Sequence, residues 1–502
     1  MLSKVVTAVT RGTEGRKVII ETDISKGMPG LTIVGLADTT VKEAKERIHA
    51  AILNIKRNYP VRKITVNLSP ANMRKKGSHF DLPMAIGILI SSGQLKEEDT
   101  EEYAFIGELS LDGSLNRCKG VLPMVTALRK EGIGKVILPE ANREEAGLVK
   151  EIKVYGATDL KEVTEFLEKR KNIEVIDGTD AVSRSYEKVP DFADVKGHSM
   201  AKRAITLAVA GNHGLLMVGS PSSGKTMLAT RIPGIMPPLT YDEIVELTEI
   251  YSVAGLLDET VPYISKRPFV KPHSGITPAG MLGGGNIPLP GEISLAHKGV
   301  LFLDEAGEFN RRVIEGLRVP MERKSINIIR RGESYSFLCD FLLIAATNPC
   351  KCGYYGDPSG KCRCTPREVI NYQSRLSGPV LDRIDMHINL QPVDYTTLKE
   401  GESESSESMR KKIETARAFQ EERQSMLNGN LSESDMENFC RTDSAGNRLL
   451  QEAYISLGLN PRTLGKIRKI ARTIADMEQS EVVKSYHIAE ALQFREGFKN
   501  EW

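Results

Sequence analysis

The chain has 502 residues, of which 40% are hydrophobic and 27% are charged. This length predicts roughly three domains, and this composition excludes a wholly disordered or fibrous chain. The 68 Lys and Arg residues against 66 Asp and Glu leave a formal net charge of +2, so a nucleic-acid site would have to be a local patch.

The first region, residues 1–165, alternates strand-like and helix-like segments and predicts an α/β domain. Its opening residues contain only a short apolar run before Thr10 and Arg11, too short for the core of a signal peptide. The longest apolar stretches, such as 82–90, fall far short of the roughly 18–20 residues that cross a membrane. We therefore expect a cytoplasmic protein with no membrane partner.

The rest of the chain predicts two further regions. A charged segment, 166–190, is interpreted as a linker. Residues 191–395 again alternate strands and helices, and they include a glycine-rich loop at 275–292. A polar segment at 399–408 has no apolar residue and predicts a solvated loop or hinge, and the remainder of 396–502 is helical in pattern. The overall fold class is therefore α/β with a helical C-terminal domain.

The strongest motif is a glycine-rich loop between an apolar strand at 215–218 and a helix. It fits the pattern G-x-x-x-x-G-K-[ST], in which backbone N–H groups wrap nucleotide phosphates. Lys225 would reach the β and γ phosphates, and the Thr226 hydroxyl would bind Mg²⁺. The residues of this predicted ATP site are Gly219, Ser220, Pro221, Ser222, Ser223, Gly224, Lys225 and Thr226.

Two further apolar strands end in polar side chains. Asp304 and Glu305 follow one of them, at the carboxyl end where ligands bind in open α/β sheets. Asp304 would hold Mg²⁺, and Glu305 would polarise the attacking water. Asn348 follows the other strand and would orient water near the γ-phosphate.

In this order, the three strands resemble the core of AAA+ ATPases. Longer segments at 191–226, 267–305 and 345–385 resemble the magnesium-chelatase-subunit-like ATPases of the YifB/ComM family, and the match extends over almost the whole chain. The family's best-known members act in DNA uptake as ring-shaped helicases that drive branch migration. The resemblance implies an AAA+ core at 191–395, a helical lid at 396–502, and a homo-hexamer that uses ATP and Mg²⁺.

Individual roles follow from the same resemblance. Asn348 matches the sensor 1 position, and Arg462 matches the lid arginine called sensor 2. Arg383 matches the arginine finger, which acts on the ATP of the neighbouring subunit, and Arg375 competes for that role. The alternative for each arginine is a surface or helix-capping charge.

Four of the seven cysteines lie close together in an insert at 350–364. Cys350, Cys352, Cys362 and Cys364 could close a tetrahedral structural Zn²⁺ site, although C-x-C pairs are less usual than C-x-x-C pairs. The alternative is four reduced surface thiols. Because the insert follows Asn348 directly, a metal there could brace the loop towards Arg383.

The N-terminal region resembles the Lon-protease-like domain of this family. The proteolytic relatives carry a serine before a helix that residues 83–90 resemble, and a lysine farther on. Here His79 stands at the serine position and Ser78 is one residue away, so we expect an inactive domain with a structural His79. Such a domain could serve ring assembly or DNA binding.

A local basic stretch points to nucleic acid. Residues 311–331 contain seven Lys or Arg and two Glu. Residues 324–338 alternate as two strands about a turn of Arg330, Arg331, Gly332 and Glu333, with the two arginines at its tip. In related ring ATPases a hairpin just before sensor 1 points into the pore, where these arginines would contact phosphates. The alternatives are a solvated tip or an intersubunit salt bridge. The loop at 275–292 is a second pore candidate.

Two functions remain open on these grounds. The first is an ATP-driven motor on single-stranded or branched DNA, acting as a helicase or branch-migration factor in DNA uptake or recombination. The second is a chelatase-like or protein-remodelling ATPase with a protein substrate. The missing serine argues against a third, a Lon-like protease.

Overall fold

A computed structural model describes residues 2–177, 189–357, 359–376, 378–393, 397 and 403–499. It shows two α/β units followed by a helical C-terminal region, so the predicted fold class is confirmed. No helix in the described ranges has both the length and the apolar character needed to cross a bilayer.

The first unit is built on an eight-stranded mixed sheet. Its strands alternate buried and exposed residues, which is the pattern of a sheet with one face on a core. The strands of this unit are β1 Leu2–Arg11, β2 Glu14–Ser25, β3 Gly30–Val34, β4 Lys63–Ser69, β5 Tyr103–Phe105, β6 Glu108–Leu109, β7 Leu115–Asn116, β8 Lys135–Pro139, β9 Lys153–Ala157 and β10 Val175–Asp177. The sheet order is β10-β9-β8-β5-β1-β2-β4-β3, and β6 pairs with β7 separately.

Helices cover this sheet, and one of them is almost wholly apolar. The helices are α1 Thr39–Asn54, α2 Asp81–Ser91, α3 Val121–Lys130, α4 Arg143–Ala146 and α5 Leu160–Leu167. Every residue of α2 is buried, because α2 lies between β1, β2 and α1.

The first unit extends farther along the chain than predicted, into the predicted linker at 166–190. Strand β10 pairs antiparallel with β9, so the first sheet extends to Asp177. The prediction is therefore wrong for 166–177, where a strand of only three residues is too short to show a sequence pattern. Residues 178–188 of the predicted linker lie outside the described residues.

The second unit is built on a parallel sheet of order β12-β15-β18-β11-β19. Its strands, with two small hairpins, are β11 Leu215–Gly219, β12 Phe269–Val270, β13 Gly283–Gly284, β14 Leu289–Pro290, β15 Val300–Leu303, β16 Ser325–Arg330, β17 Glu333–Leu338, β18 Leu342–Thr347 and β19 Met386–Leu390. Its helices are α6 Ser199–Gly211, α7 Lys225–Ala229, α8 Tyr241–Ala254, α9 Pro278–Leu282, α10 Glu292–Leu295, α11 Arg311–Gly316, α12 Arg318–Arg323, α13 Pro366–Gln373 and α14 Gly378–Leu381. Because the five sheet strands are parallel, their carboxyl ends share one edge.

The C-terminal region is helical and packs on the second unit. Its helices are α15 Ser406–Gln424, α16 Glu433–Phe439, α17 Ser444–Ser456, α18 Pro461–Met477 and α19 Ser485–Lys499. Side chains of α15 and α18 share a buried apolar cluster with α6 and β11. Part of the segment predicted as a solvated loop is packed: Ser406 is buried, and its hydroxyl oxygen accepts from the backbone N–H of Phe192 at 2.9 Å.

The two units share an apolar core. Ile244 and Leu247 on α8 lie in the same buried cluster as Val125 and Leu128 on α3. The backbone N–H of Gly120, just before α3, donates to a carbonyl of α8 at 3.1 Å. The first unit is therefore packed against the second through α8.

Candidate functional site

The predicted phosphate loop joins β11 to α7. Gly219 is closely packed, since a Cβ there would lie 2.7 Å from the carbonyl oxygen of Leu390. Gly224 has φ of +85° and precedes the first residue of α7, and Ser222 has φ of +63°. Turns that contain left-handed residues gather backbone N–H groups into an anion-binding concavity, so these angles suit a phosphate-binding loop.

Lys225 lies at the centre of this site. Its Nζ donates to the carbonyl oxygens of Gly219 at 2.7 Å and Ser220 at 2.9 Å, and to Oδ1 of Asn348 at 3.2 Å. Burial lowers the pKa of Lys225 to about 8, and the nearby carboxylates of Asp304 and Glu305 oppose this shift. A partly buried ammonium is stabilised by an added anion, so the site fits a phosphate group.

Asp304 and Thr226 form the second half of the site. The Thr226 hydroxyl donates to Oδ2 of Asp304 at 3.1 Å. A hydroxyl beside a carboxylate is the oxygen donor set that suits Mg²⁺. The Nζ of Lys271 also contacts Oδ2 of Asp304, at 2.8 Å. Sequence reasoning missed Lys271, because the strand that it follows, β12, has only two residues and shows no sequence pattern.

Glu305 lies at the same edge of the sheet. It follows Asp304, adopts left-handed backbone angles with φ of 53°, and is exposed. The structure therefore brings together the predicted residues Lys225, Thr226, Asp304 and Asn348, with the Glu305 carboxylate beside them.

The two predicted arginines lie at the opposite edge. Nε of Arg383 is 3.0 Å from the Glu322 carboxylate, and Arg462 pairs with the same carboxylate. They line a cavity of about 600 Å³ with Gly214 and Phe341, which precede β11 and β18. About 16 Å of strand separates the two edges of the sheet, so neither arginine lies beside the phosphate loop of its own chain.

The competing arginine is on the nucleotide side. Nη1 of Arg375 lies 2.9 Å from the carboxylate of Glu308, in the turn that follows Glu305. It also reaches the carbonyl oxygen of Gly307 at 3.5 Å. This ion pair is exposed and lies within one chain.

The four cysteines of the insert form one cluster. Their sulfur atoms lie within 4.8 Å of one another, and three of the separations are 3.3, 3.7 and 3.9 Å. Zn–S bonds of about 2.3 Å in a tetrahedron place sulfur atoms roughly 3.8 Å apart, whereas a disulfide holds them at about 2.05 Å. The cluster therefore fits a structural zinc ion.

The cysteine insert packs on the phosphate loop. A Cβ on Gly353 would lie 2.6 Å from Cδ of Pro221, and the side chains of Asp357 and Ser220 are hydrogen-bonded. Tyr355 and Asp357 line a cavity of about 330 Å³ together with Gly219 and Ser220. The insert therefore lines one side of the nucleotide site.

Comparison with known proteins identifies the family. A family model of magnesium chelatase, subunit ChlI, matches residues 191–398, a model of subunit ChlI of Mg-chelatase matches 20–142, and a model of its C-terminal part matches 403–495. The uncharacterised protein YifB of Escherichia coli (strain K12) is 40% identical over 98% of this chain and 97% of that protein. The chain belongs to the YifB/ComM family of magnesium-chelatase-like AAA+ ATPases.

Other members of this family are similarly close. The competence protein ComM of Haemophilus influenzae is 38% identical over 98% of this chain and 97% of its own length. YifB of Salmonella typhimurium is 38% identical over the same shares of the two chains. These similarities extend through both α/β units and the helical region.

In this family member the N-terminal unit has no Ser–Lys pair within the described residues. The Ser78 hydroxyl donates to the Glu108 carboxylate, and the Lys75 amine donates to the carbonyl oxygen of Pro70. His79 is buried, its Nε2 lies 3.0 Å from the carbonyl oxygen of Ala8, and burial lowers its pKa to about 4. His79 is therefore neutral at pH 7 and holds two segments of the core together.

The predicted basic hairpin is confirmed in its position along the chain. Strands β16 and β17 pair from Ser325 and Leu338 to Arg330 and Glu333. Arg331 and Gly332 have φ of 51° and 79°, as in a two-residue hairpin turn, and both tip arginines are exposed. The glycine-rich loop packs on this hairpin, since a Cβ on Gly283 would lie 3.0 Å from Cδ1 of Ile328.

Proposed function

We propose that the protein is an ATP-hydrolysing ring motor that acts on single-stranded or branched DNA in the cytoplasm, as a helicase or branch-migration factor in DNA uptake or recombination. The observation that carries the ATPase part is the convergence of Lys225, Asp304 and Asn348 on one edge of the parallel sheet. The DNA part is supported by the exposed basic hairpin and by the name of the competence protein ComM.

In this proposal each side chain of the nucleotide site has one task. Lys225 binds the β and γ phosphates, while Thr226 and Asp304 hold Mg²⁺, which when bound neutralises charge on the phosphates. The exposed Glu305 carboxylate accepts a proton from the attacking water. Asn348 donates through its amide N–H to hold that water in line, because its Oδ1 already accepts from Lys225.

A ring explains the position of the two arginines. Arg383 and Arg462 lie at the edge of the sheet away from their own phosphate loop, and they share Glu322. In a closed homo-hexamer, this edge would face the nucleotide of the neighbouring subunit, where a guanidinium stabilises charge in the transition state. Arg383 acts there as the finger, with Arg462 beside it.

The cysteine cluster holds a structural zinc ion in this proposal. Four thiolates fill a tetrahedral shell and leave no open coordination position, so zinc would shape the insert rather than take part in hydrolysis. In the described part of the chain none of the seven cysteines forms a disulfide, which is the state expected in a reducing compartment.

The ATPase rate with and without single-stranded and forked DNA tests the function. We expect DNA to stimulate hydrolysis, and Arg330→Ala/Arg331→Ala to remove the stimulation while keeping the basal rate. If both arginines contact phosphates, the slope of log affinity against log salt falls by roughly one to two. Arg441→Ala/Arg448→Ala, two exposed arginines of the helical region outside the basic stretch, is the matched control.

The same experiment addresses the second candidate function. The family models are named for a chelatase subunit, and the alternative is a chelatase-like or protein-remodelling ATPase with a protein substrate. If the hairpin variant keeps its DNA affinity and salt slope, the hairpin is structural and the protein-remodelling function is supported. If DNA fails to bind or stimulate the unaltered protein, the DNA function is wrong.

A further inference from the structure

The basic hairpin is joined to the N-terminal unit. The turn between β1 and β2 lies along the free edge of β17, where the backbone N–H of Thr13 donates to the carbonyl oxygen of Ser336 at 3.5 Å. Nε of Arg11 donates to the carbonyl oxygen of Ser334 at 2.9 Å. Gly12 has φ of +64°, and a Cβ there would lie 2.6 Å from the same Ser336 oxygen. The turn is thus closely fitted to the hairpin.

A second contact between the two units lies close to the tip of the hairpin. The Nζ of Lys76, in the N-terminal unit, donates to the Tyr335 hydroxyl at 2.9 Å and lies 5.3 Å from the centre of its ring. The Tyr335 hydroxyl in turn donates to the Glu333 carboxylate at 2.6 Å. Residues from the two units therefore form one hydrogen-bonded chain beneath the hairpin tip.

Positive charge is concentrated along the seam between the two units, where the β1–β2 turn and Lys76 contact the hairpin. Burial is the main cause of the lowered pKa of Lys76, and the nearby charges of Arg74 and Arg331 lower it further, while Glu333 and Asp38 oppose the shift. The groups facing one another across the seam are Arg11, Arg74, Lys76 and Arg331 against Asp38 and Glu333.

Three arginines on the exposed side of this seam have no carboxylate within ion-pair distance. Arg74, Arg330 and Arg331 are exposed, and in the part of the chain that the structure describes none of them forms an ion pair. Like charges held close together repel, so folding alone gives no reason to collect them. An external polyanion would relieve this repulsion.

We propose that the N-terminal unit forms half of the nucleic-acid site: Arg74, supported by Arg11 and Lys76, extends the phosphate-binding surface of the hairpin tip across the seam. The inference rests on the proposed DNA function and adds a role for the first unit. The ligand is the sugar-phosphate backbone, because the groups are cations without a set of base-reading amides beside them. Binding through this surface is independent of base sequence.

Arg74→Ala, compared with Arg62→Ala, tests the inference. Both arginines are exposed in the same unit, but Arg62 precedes β4 and Arg74 follows it, so about 23 Å of strand lies between them. With labelled single-stranded DNA in a salt titration, we expect Arg74→Ala to lower the salt slope by about 0.7, and a duplex probe to show a fall of about 0.9. Arg62→Ala should match the unaltered protein in DNA affinity, in salt slope and in basal ATPase rate.

The reference variant Arg330→Ala/Arg331→Ala separates the two hypotheses. If it weakens DNA binding while Arg74→Ala leaves the affinity and slope unchanged, the DNA function stands and the role of the first unit is refuted. If Arg62→Ala weakens binding as much as Arg74→Ala, the effect is one of general charge and the inference is likewise refuted. If the unaltered protein binds no DNA, both hypotheses are overturned.

Discussion

Replacing Cys350 and Cys362 by serine should remove about one zinc ion per chain and loosen the nucleotide site. A serine hydroxyl stays protonated at neutral pH and cannot replace a thiolate, and the two remaining cysteines cannot close a tetrahedral shell. The insert would then lose the link that holds it against Pro221 of the phosphate loop. We therefore expect weaker ATP binding in addition to loss of metal.

The size of the effect follows from the length of the insert. Cross-linking the ends of a loop of about 15 residues, the span of 350–364, offsets about 3 kcal/mol of chain entropy. Structural zinc supplies an apparent binding free energy of about 10–16 kcal/mol, which is more than enough to order such a segment. If about 3 kcal/mol of this binding free energy stabilises the folded ATPase unit, the melting midpoint of that unit should fall by roughly 6–12 °C when the metal is absent.

Elemental analysis, thermal melting and ATP titration of the intact chain measure these effects. Cys118→Ala/Cys440→Ala is the matched control, because both cysteines are buried and lie outside the cluster. This control should keep its zinc and its ATP affinity. Metal-free unaltered protein, together with unchanged melting of the serine variant, would refute the reasoning.

Three further predictions concern hydrolysis, assembly and pH. Lys225→Ala should abolish ATP binding, whereas Glu305→Gln should bind ATP and hydrolyse it slowly; equal loss of affinity in both variants would contradict the assigned roles. Arg383→Ala should bind ATP without turnover, and mixing it with Lys225→Ala should restore some activity through interfaces that have both residues; mixed rings without recovery would exclude action between subunits. Burial raises the pKa of Glu249, beside Thr126 at the interface of the units, to about 7. Because the raised pKa favours the protonated form, the stability that this group contributes should decline as the pH rises from about 4.5 to 7. Glu249→Gln should remove this part of the pH dependence of the melting midpoint. An unchanged pH dependence would contradict the role of Glu249.

The features that sequence predicts best are local ones. The phosphate loop and the basic hairpin each occupy a short continuous segment, so their strand patterns and turn residues are visible without the fold. Asp304 and Asn348 are far apart in the chain, but each directly follows an apolar strand, and parallel strands bring such ends to one edge.

Contacts between distant segments could not be predicted in this way. Glu322 lies on α12, and nothing in its surroundings indicates that Arg383 and Arg462 pair with it. Lys76 lies in a short run of basic residues, and nothing in that run indicates that its partner Tyr335 lies on a strand of the other unit. The short strand β10 was missed because three residues carry no periodicity, and its place in the sheet depends on pairing with β9.

The apolar cluster between α3 and α8 has a consequence for synthesis on the ribosome. Residues up to Asp177 complete the first sheet, but the cluster also needs Leu239, Ile244 and Leu247. About 60 residues lie between these points, which at about 5–20 residues per second take roughly 3–12 seconds to translate. During that interval the newly made first unit exposes the apolar face of α3, and this is the stage at which a nascent chain would need a chaperone.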